Sequence, residues 1–190
     1  MFPVEAFKRS IEKFTKIAEA IALPYHLTGG CISSAYGEPR LTQDIDIVVS
    51  PDVAKAEIDR IVESLAASDF LFTESVVRRS VECGNLFQLL DKTESLKLDI
   101  YPRELIPGEL QRSVELEVFE NVFLPVVSRT DAAMSKLIWI HKGSLRSRRD
   151  LRGIFEGCDE PQRSEIRRQA SAIELIRLLE EVLAEPDEIR

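Results

Sequence analysis

Along residues 4–23 the apolar side chains Phe7, Ile11, Phe14, Ala18 and Ile21 recur every three or four positions, with Lys8, Arg9, Glu12, Lys13, Lys16 and Glu19 between them. That spacing gathers the apolar set on one stripe of a helix, and Pro24, which has no amide hydrogen to donate, stops it. Residues 25–28 are β-prone and run into Gly29-Gly30, after which residues 31–37 suit a short helix ahead of a polar loop containing Pro39. Residues 44–49 alternate acid and branched aliphatic before turning continuously apolar, the pattern of a strand whose far end is buried on both faces, and Pro51 ends it. Ile58, Ile61, Val62 and Leu65 predict a second amphipathic helix over residues 54–67.

Strand-like runs follow at 72–77, 86–90 and 96–101, the last two joined by the polar hairpin loop Asp91-Lys-Thr-Glu-Ser. Two more β-prone runs, 114–119 and 122–127, flank Glu120-Asn121, a workable two-residue turn; they extend the sheet or form a separate ribbon. Ser128 with Asp131 three residues on reads as a capping box opening a helix over 129–141. A helix at 147–155 and a long final one at 164–184, with Ile166, Ala170, Ile173, Ile176, Leu179 and Leu183 on one face, complete the chain. The fold class expected is α/β, in the α+β sense: a mixed sheet flanked by helices over residues 1–127, then a C-terminal helical region over 128–190.

Charge narrows the choice of partners. With 25 Lys and Arg against 33 Asp and Glu the chain carries −8, so its surface as a whole repels nucleic acid and anionic membrane, and a polyanion would need a local basic patch or a bridging cation. Cys31, Cys83 and Cys158 are odd in number and far apart, which disfavours a disulfide framework or structural zinc and fits a reducing cytoplasm. Neither a signal peptide nor a membrane span is legible.

The chemistry concentrates between Leu27 and Val49. Asp44 and Asp46, one residue apart on a strand, leave the same face while Ile45 and Ile47 enter the core; their Cα atoms lie about 6.6 Å apart, twice the strand rise. Two such carboxylates can hold one Mg²⁺ or a closely spaced pair, leaving the remaining positions to phosphates and water. Asp99, flanked on its strand by outward-pointing Lys97 and Tyr101, offers a third acid if its strand lies beside the first. The bland reading of such a pair is a solvated strand face. A glycine pair after a strand is by itself often just a turn, although it lets backbone approach a ligand, and a helix starting there favours phosphate.

The composite order is more specific than its parts: strand, Gly29-Gly30, short helix, Gly37-x-x-Arg40-x-Thr42-x-Asp44-Ile-Asp46, long helix, then Asp99 on a strand. It resembles the DNA polymerase beta-like nucleotidyltransferase superfamily, and within it the bacterial branch that includes AbiEii-type toxins, over residues 23–151. The resemblance implies a nucleotidyltransferase-type mixed sheet and a magnesium-dependent (or manganese-dependent) transfer of a nucleoside monophosphate from NTP to an acceptor hydroxyl. It implies that Gly29 and Gly30 cradle the triphosphate, that Asp44 and Asp46 hold the nucleotide-bound metal, and that Asp99 shares a second metal. Serine is commoner where Gly30 stands. Arg40 and Thr42 match the branch as nucleotide-binding positions, Arg40 either touching phosphate or pairing with an acid near the strand.

Lys136 matches a helix lysine that in this branch reaches the nucleotide phosphates; otherwise it is an exposed helix lysine. Around Asp150 the match is partial, because Ser147 and Gly153 stand where an arginine and a second acid are expected. Lys142, Arg146, Arg148, Arg149 and Arg152 form a basic cluster that guides a nucleotide or RNA toward the site, or is a solvated face balanced by nearby acids. His26 is expected on a strand, Trp139 in the core and Cys31 packed.

Two functional classes stand at this stage. One is a nucleotidyltransferase acting on RNA, protein or a small molecule, with a role as the toxin of a toxin–antitoxin pair; the other is a catalytically idle fold of the same type that binds a partner protein such as an antitoxin.

Overall fold

In the computed structural model, which describes residues 4–37 and 44–186, strands β1 (Tyr25–Thr28), β2 (Asp44–Val49), β3 (Phe70–Leu71), β4 (Phe87–Asp91), β5 (Leu96–Tyr101), β6 (Val114–Phe119) and β7 (Val122–Val126) form one sheet. Their order is β3-β4-β5-β2-β1-β7-β6; β2 with β5 and β1 with β7 run parallel, and the other neighbours are antiparallel. The β6–β7 hairpin therefore extends the sheet, docking through the Leu27↔Val126 register and the bond from Val127 N to Leu27 O (2.9 Å).

Alternation decides the two faces. Ile45 and Ile47 of β2, Leu89 of β4, and Leu98 and Ile100 of β5 are 0–1% exposed, whereas Gln88 and Leu90 on β4 are exposed. Against the covered face lie Phe14 of α1 (Val4–Ala20), Ile61 and Leu65 of α4 (Ile58–Ala66) and Val81 of α5 (Glu74–Cys83).

Three expected elements differ. The helix expected over 54–67 is two, α3 (Pro51–Ala56) and α4, broken at Glu57 (φ −106°, ψ 19°). Ala54 and Ile61 are seven residues apart and would share a face in one continuous helix, so apolar spacing carries no sign of the break. Pro51 both ends β2 and opens α3, with the Ser50 hydroxyl capping Val53 N (3.4 Å).

The strand expected over 72–77 is largely helix. Only Phe70–Leu71 pair with β4, and α5 begins at Glu74. The β preference of Val76 and Val77 is a weak prior; burying Val77, Ser80 and Val81 at helical spacing, a Glu74–Arg78 pair (2.8 Å) and a left-handed Gly84 stop (φ 64°) override it. The helix expected over 164–184 is also two, α8 (Glu160–Ala172) and α9 (Ile176–Leu183), with Glu174 at φ 60° between them. Helix α8 starts early because Asp159 and Gln162 close a reciprocal capping box.

By contacts the chain divides into two units, Met1–Cys31 with Leu41–Val127, and Ile32–Arg40 with Ser128–Arg190. The first holds the sheet. In the second, α6 (Arg129–His141) packs on α7 (Arg146–Glu156) and α8. Ser128 caps α6 by accepting Asp131 N–H (3.1 Å), and its hydroxyl donates to the Asp131 carboxylate (2.7 Å). Among the described residues no helix is long and apolar enough to cross a membrane.

Candidate active site

The parallel register of β2 and β5 sets Asp46 beside Asp99 and Asp44 beside Lys97, with Tyr101 opposite Val48. Since side chains at alternate positions share a face, Asp44, Asp46, Lys97, Asp99 and Tyr101 all stand on the face opposite the Ile45/Ile47 core. The structure thus sets the three acids expected from the sequence on one face of two adjoining strands.

Each acid is held differently. Asp46 accepts a hydrogen bond from Tyr101 Oη (3.1 Å) and another from the Gly30 amide. Burial and the charge of Asp44 push its carboxyl above the usual value; the Tyr101 and Gly30 hydrogen bonds oppose this, and Asp99 adds to it. Asp99 is 7% exposed and accepts from Gln88 Nε2 (3.1 Å), its neighbour on β4. Lys97 Nζ stands 3.2 Å from Asp99 Oδ2 and 3.6 Å from Asp44 Oδ2. Burial works against the Lys97 charge, and Asp99 and Asp44 outweigh it, so the ammonium is held above its ordinary pKa. Tyr101 is raised too, by burial and by the negative charge of Asp46 and its neighbours.

Gly29 opens α2 (Gly29–Tyr36) at φ +70°, and any Cβ there would overlap the Asp46 carboxylate. Glycine at position 29 is thus required by the close approach of Asp46 as well as by the left-handed backbone. Arg40 and Thr42 lie outside the described residues.

The donor set fits a hard divalent cation: carboxylate oxygens are its preferred ligands, and these acids already draw an ammonium between Asp44 and Asp99. Among the described residues no three Asp, Glu, His or Cys side chains stand in a closed metal-binding group. Beside the acids a groove of about 670 Å³ opens between β4 and α5, lined by Leu71, Val76, Leu86, Gln88, Leu90 and Lys97 among others.

In the helical unit Lys136 is 8% exposed and pairs with Asp150 at 2.9 Å, so it is not an exposed helix lysine. Gly37 packs so tightly that a Cβ would come within 2.9 Å of the Gly153 carbonyl carbon. Of the basic cluster, Arg148 pairs with Glu181 and Glu185, and Arg152 with Glu185 (2.6 Å). Trp139, expected in the core, is 40% exposed on α6 and lies under Lys142 Nζ, 5.1 Å from its ring centroid. His26 is fully buried on β1, with Nδ1 2.8 Å from Ser113 Oγ.

Sequence reasoning attached no role to Lys97, Tyr101 or Gln88. The first two were visible as the residues two before and two after Asp99 on one strand face. Gln88 carried no signal, because only the β4–β5 register places it opposite Asp99.

A seven-stranded mixed sheet carries two carboxylates on one strand and a third on its parallel neighbour. The chain belongs to the nucleotidyl transferase AbiEii toxin family of type IV toxin–antitoxin systems, whose profile matches residues 24–154, and it is by that membership a nucleotidyltransferase. Among solved structures it is similar to an antigenic nucleotidyltransferase-like protein from Paracoccidioides brasiliensis, at 15% identity and a TM-score of 0.58, covering 95% of this chain and 93% of that one. It is also similar to the antibiotic-resistance factor ANT(2'')-Ia, at 16% identity and a TM-score of 0.57, covering 92% and 97%. At these identities the likeness is one of fold. No curated protein sequence matches the chain.

Proposed function

We propose that this nucleotidyltransferase moves a nucleoside monophosphate from an NTP to a hydroxyl acceptor with release of pyrophosphate, that Asp44, Asp46 and Asp99 hold Mg²⁺ or Mn²⁺ for the reaction, and that the protein acts as the toxin of its pair. The observation that carries this reading is the placement of the three carboxylates on one face of the paired strands β2 and β5, in a chain of the AbiEii family. When bound, the cation supplies charge neutralisation at the triphosphate and a lowered pKa at the acceptor hydroxyl.

The chain's own residues prepare that chemistry. Tyr101 and the Gly30 amide fix the Asp46 carboxylate, and Gln88 fixes Asp99. Gly29 keeps backbone close to Asp46 with no side chain in the way. Gly29, Gly30, Arg40, Thr42 and Lys136 are proposed as nucleotide contacts on the family resemblance; for Lys136 this requires opening its pair with Asp150.

Titration calorimetry with the four NTPs, with and without Mg²⁺, tests the proposal. Metal-dependent binding of one nucleotide, lost in the Asp44→Asn/Asp46→Asn double variant, is expected and names the donor for an acceptor search. Binding that ignores both metal and substitution would overturn the assignment of the three acids.

A further inference from the structure

We infer that Lys97 is an internal counter-ion that holds the cation position between Asp44 and Asp99 until a divalent metal displaces it. This deepens the proposed function and rests on its reading of the three acids as metal ligands. Lys97 Nζ lies 3.2 Å from Asp99 Oδ2 and 3.6 Å from Asp44 Oδ2, oxygens that the proposed function assigns to the metal.

Carboxylates on adjoining strand positions repel one another, so the metal-free site needs a positive charge. Lys97 supplies it from the register position beside Asp44, two residues before Asp99 on β5. The same charge must leave when the metal arrives. An ammonium and a divalent cation bound to the same oxygens would sit within a few ångströms of each other and repel one another.

The surroundings allow that exchange. The Lys97 side chain is 39% exposed and lines the groove between β4 and α5, so its flexible stem can carry the ammonium out without burying a bare charge. Metal loading and the release of Lys97 into the groove beside Asp99 are then one event. A lysine suits this role better than an arginine, whose planar fork would bridge the carboxylates in two-pronged bonds and resist displacement.

The test is Mn²⁺ binding by calorimetry, without nucleotide, to the wild type and to Lys97→Met, Lys97→Arg and Asp46→Asn. Lys97→Met is expected to bind Mn²⁺ about tenfold tighter than the wild type, Lys97→Arg no tighter than the wild type, and Asp46→Asn much more weakly. In chelator, Lys97→Met is expected to melt below the wild type, and saturating Mn²⁺ to close the gap. Equal Mn²⁺ affinity in Lys97→Met and wild type, with Asp46→Asn still impaired, overturns the inference and leaves the metal reading standing. Lys97→Arg binding as tightly as Lys97→Met overturns it as well, because charge would not be the cause. If Mn²⁺ binds none of the four proteins, the metal reading itself fails and takes this inference with it.

Discussion

Asp46 and Asp91 are aspartates on the same sheet, and burial pushes both carboxyls upward, yet Asp46 ends above its usual value and Asp91 below it. The difference lies in the company each keeps. Asp91, fully buried, accepts from Ser10 Oγ (2.8 Å), Lys13 Nζ (2.9 Å), Thr93 N (2.9 Å) and Glu94 N (3.2 Å), which together outweigh its burial. It fastens α1 to the β4–β5 turn. Asp46 has two hydrogen bonds against the like charges of Asp44 and Asp99. A satisfied carboxylate stabilises the fold, and an electrostatically crowded one costs it stability while ionised.

The contrast can be broken most sharply at Asp46. Asp46→Asn is expected to lower nucleotidyl transfer by about a hundredfold or more, because the lost charge acts on the transition state. A raised carboxyl means the folded chain prefers the protonated form, so the ionised side chain costs stability at neutral pH. The same variant should therefore melt a few degrees higher, roughly 2–4 °C, in metal-free buffer. Pyrophosphate release and thermal melting on one preparation check both halves, and a lower melting temperature would contradict the crowding argument.

Asp91→Ala should do the reverse. Leaving Ser10 and Lys13 without their partner is expected to cost about 3 kcal/mol of unfolding free energy in urea at neutral pH, with activity per folded molecule unchanged. Loss of activity without loss of stability would move Asp91 from the scaffold to the site.

A third expectation concerns the interaction that restrains Asp46. Tyr101→Phe removes the donor 3.1 Å from its carboxylate and should lower transfer about tenfold, with little change in stability. An unchanged rate would show that the Gly30 amide alone orients Asp46.

The smallest effect is in the acid limb of the stability curve. Because the folded Asp91 carboxyl lies below its ordinary value of 3.8, its contribution is complete above that pH. It is lost as the pH falls through the ordinary value toward the lowered one. Chemical denaturation between pH 6 and pH 2.5 should show that loss in the wild type and a flatter limb in Asp91→Asn.

Much of the candidate site's layout could be read from local spacing. Asp44, Asp46 and Asp99 were all legible, because a period of two forces alternate residues to one face of a strand wherever that strand ends up. The helix start at Ser128 and the strands at 44–49 and 96–101 were legible for the same kind of local reason, and the structure has them at those residues. The breaks at Glu57 and Glu174 were not, since the apolar stripe runs through both. Nor was α5, where burial of Val77 and Val81 overrode a local preference for strand.

Chain order was silent on how the three acids become one site. Asp46 and Asp99 are neighbours only because β2 and β5 pair in parallel in one register, and a shift of one residue would send Asp99 to the opposite face. Asp91 meets Ser10 and Lys13 across 81 and 78 residues of chain. Covalent geometry sets which way a side chain points from its own strand; which strand lies beside it is set by the packing of the whole core, and that is where a pair of aspartates on one strand face gains Asp99 as a third, crowding neighbour.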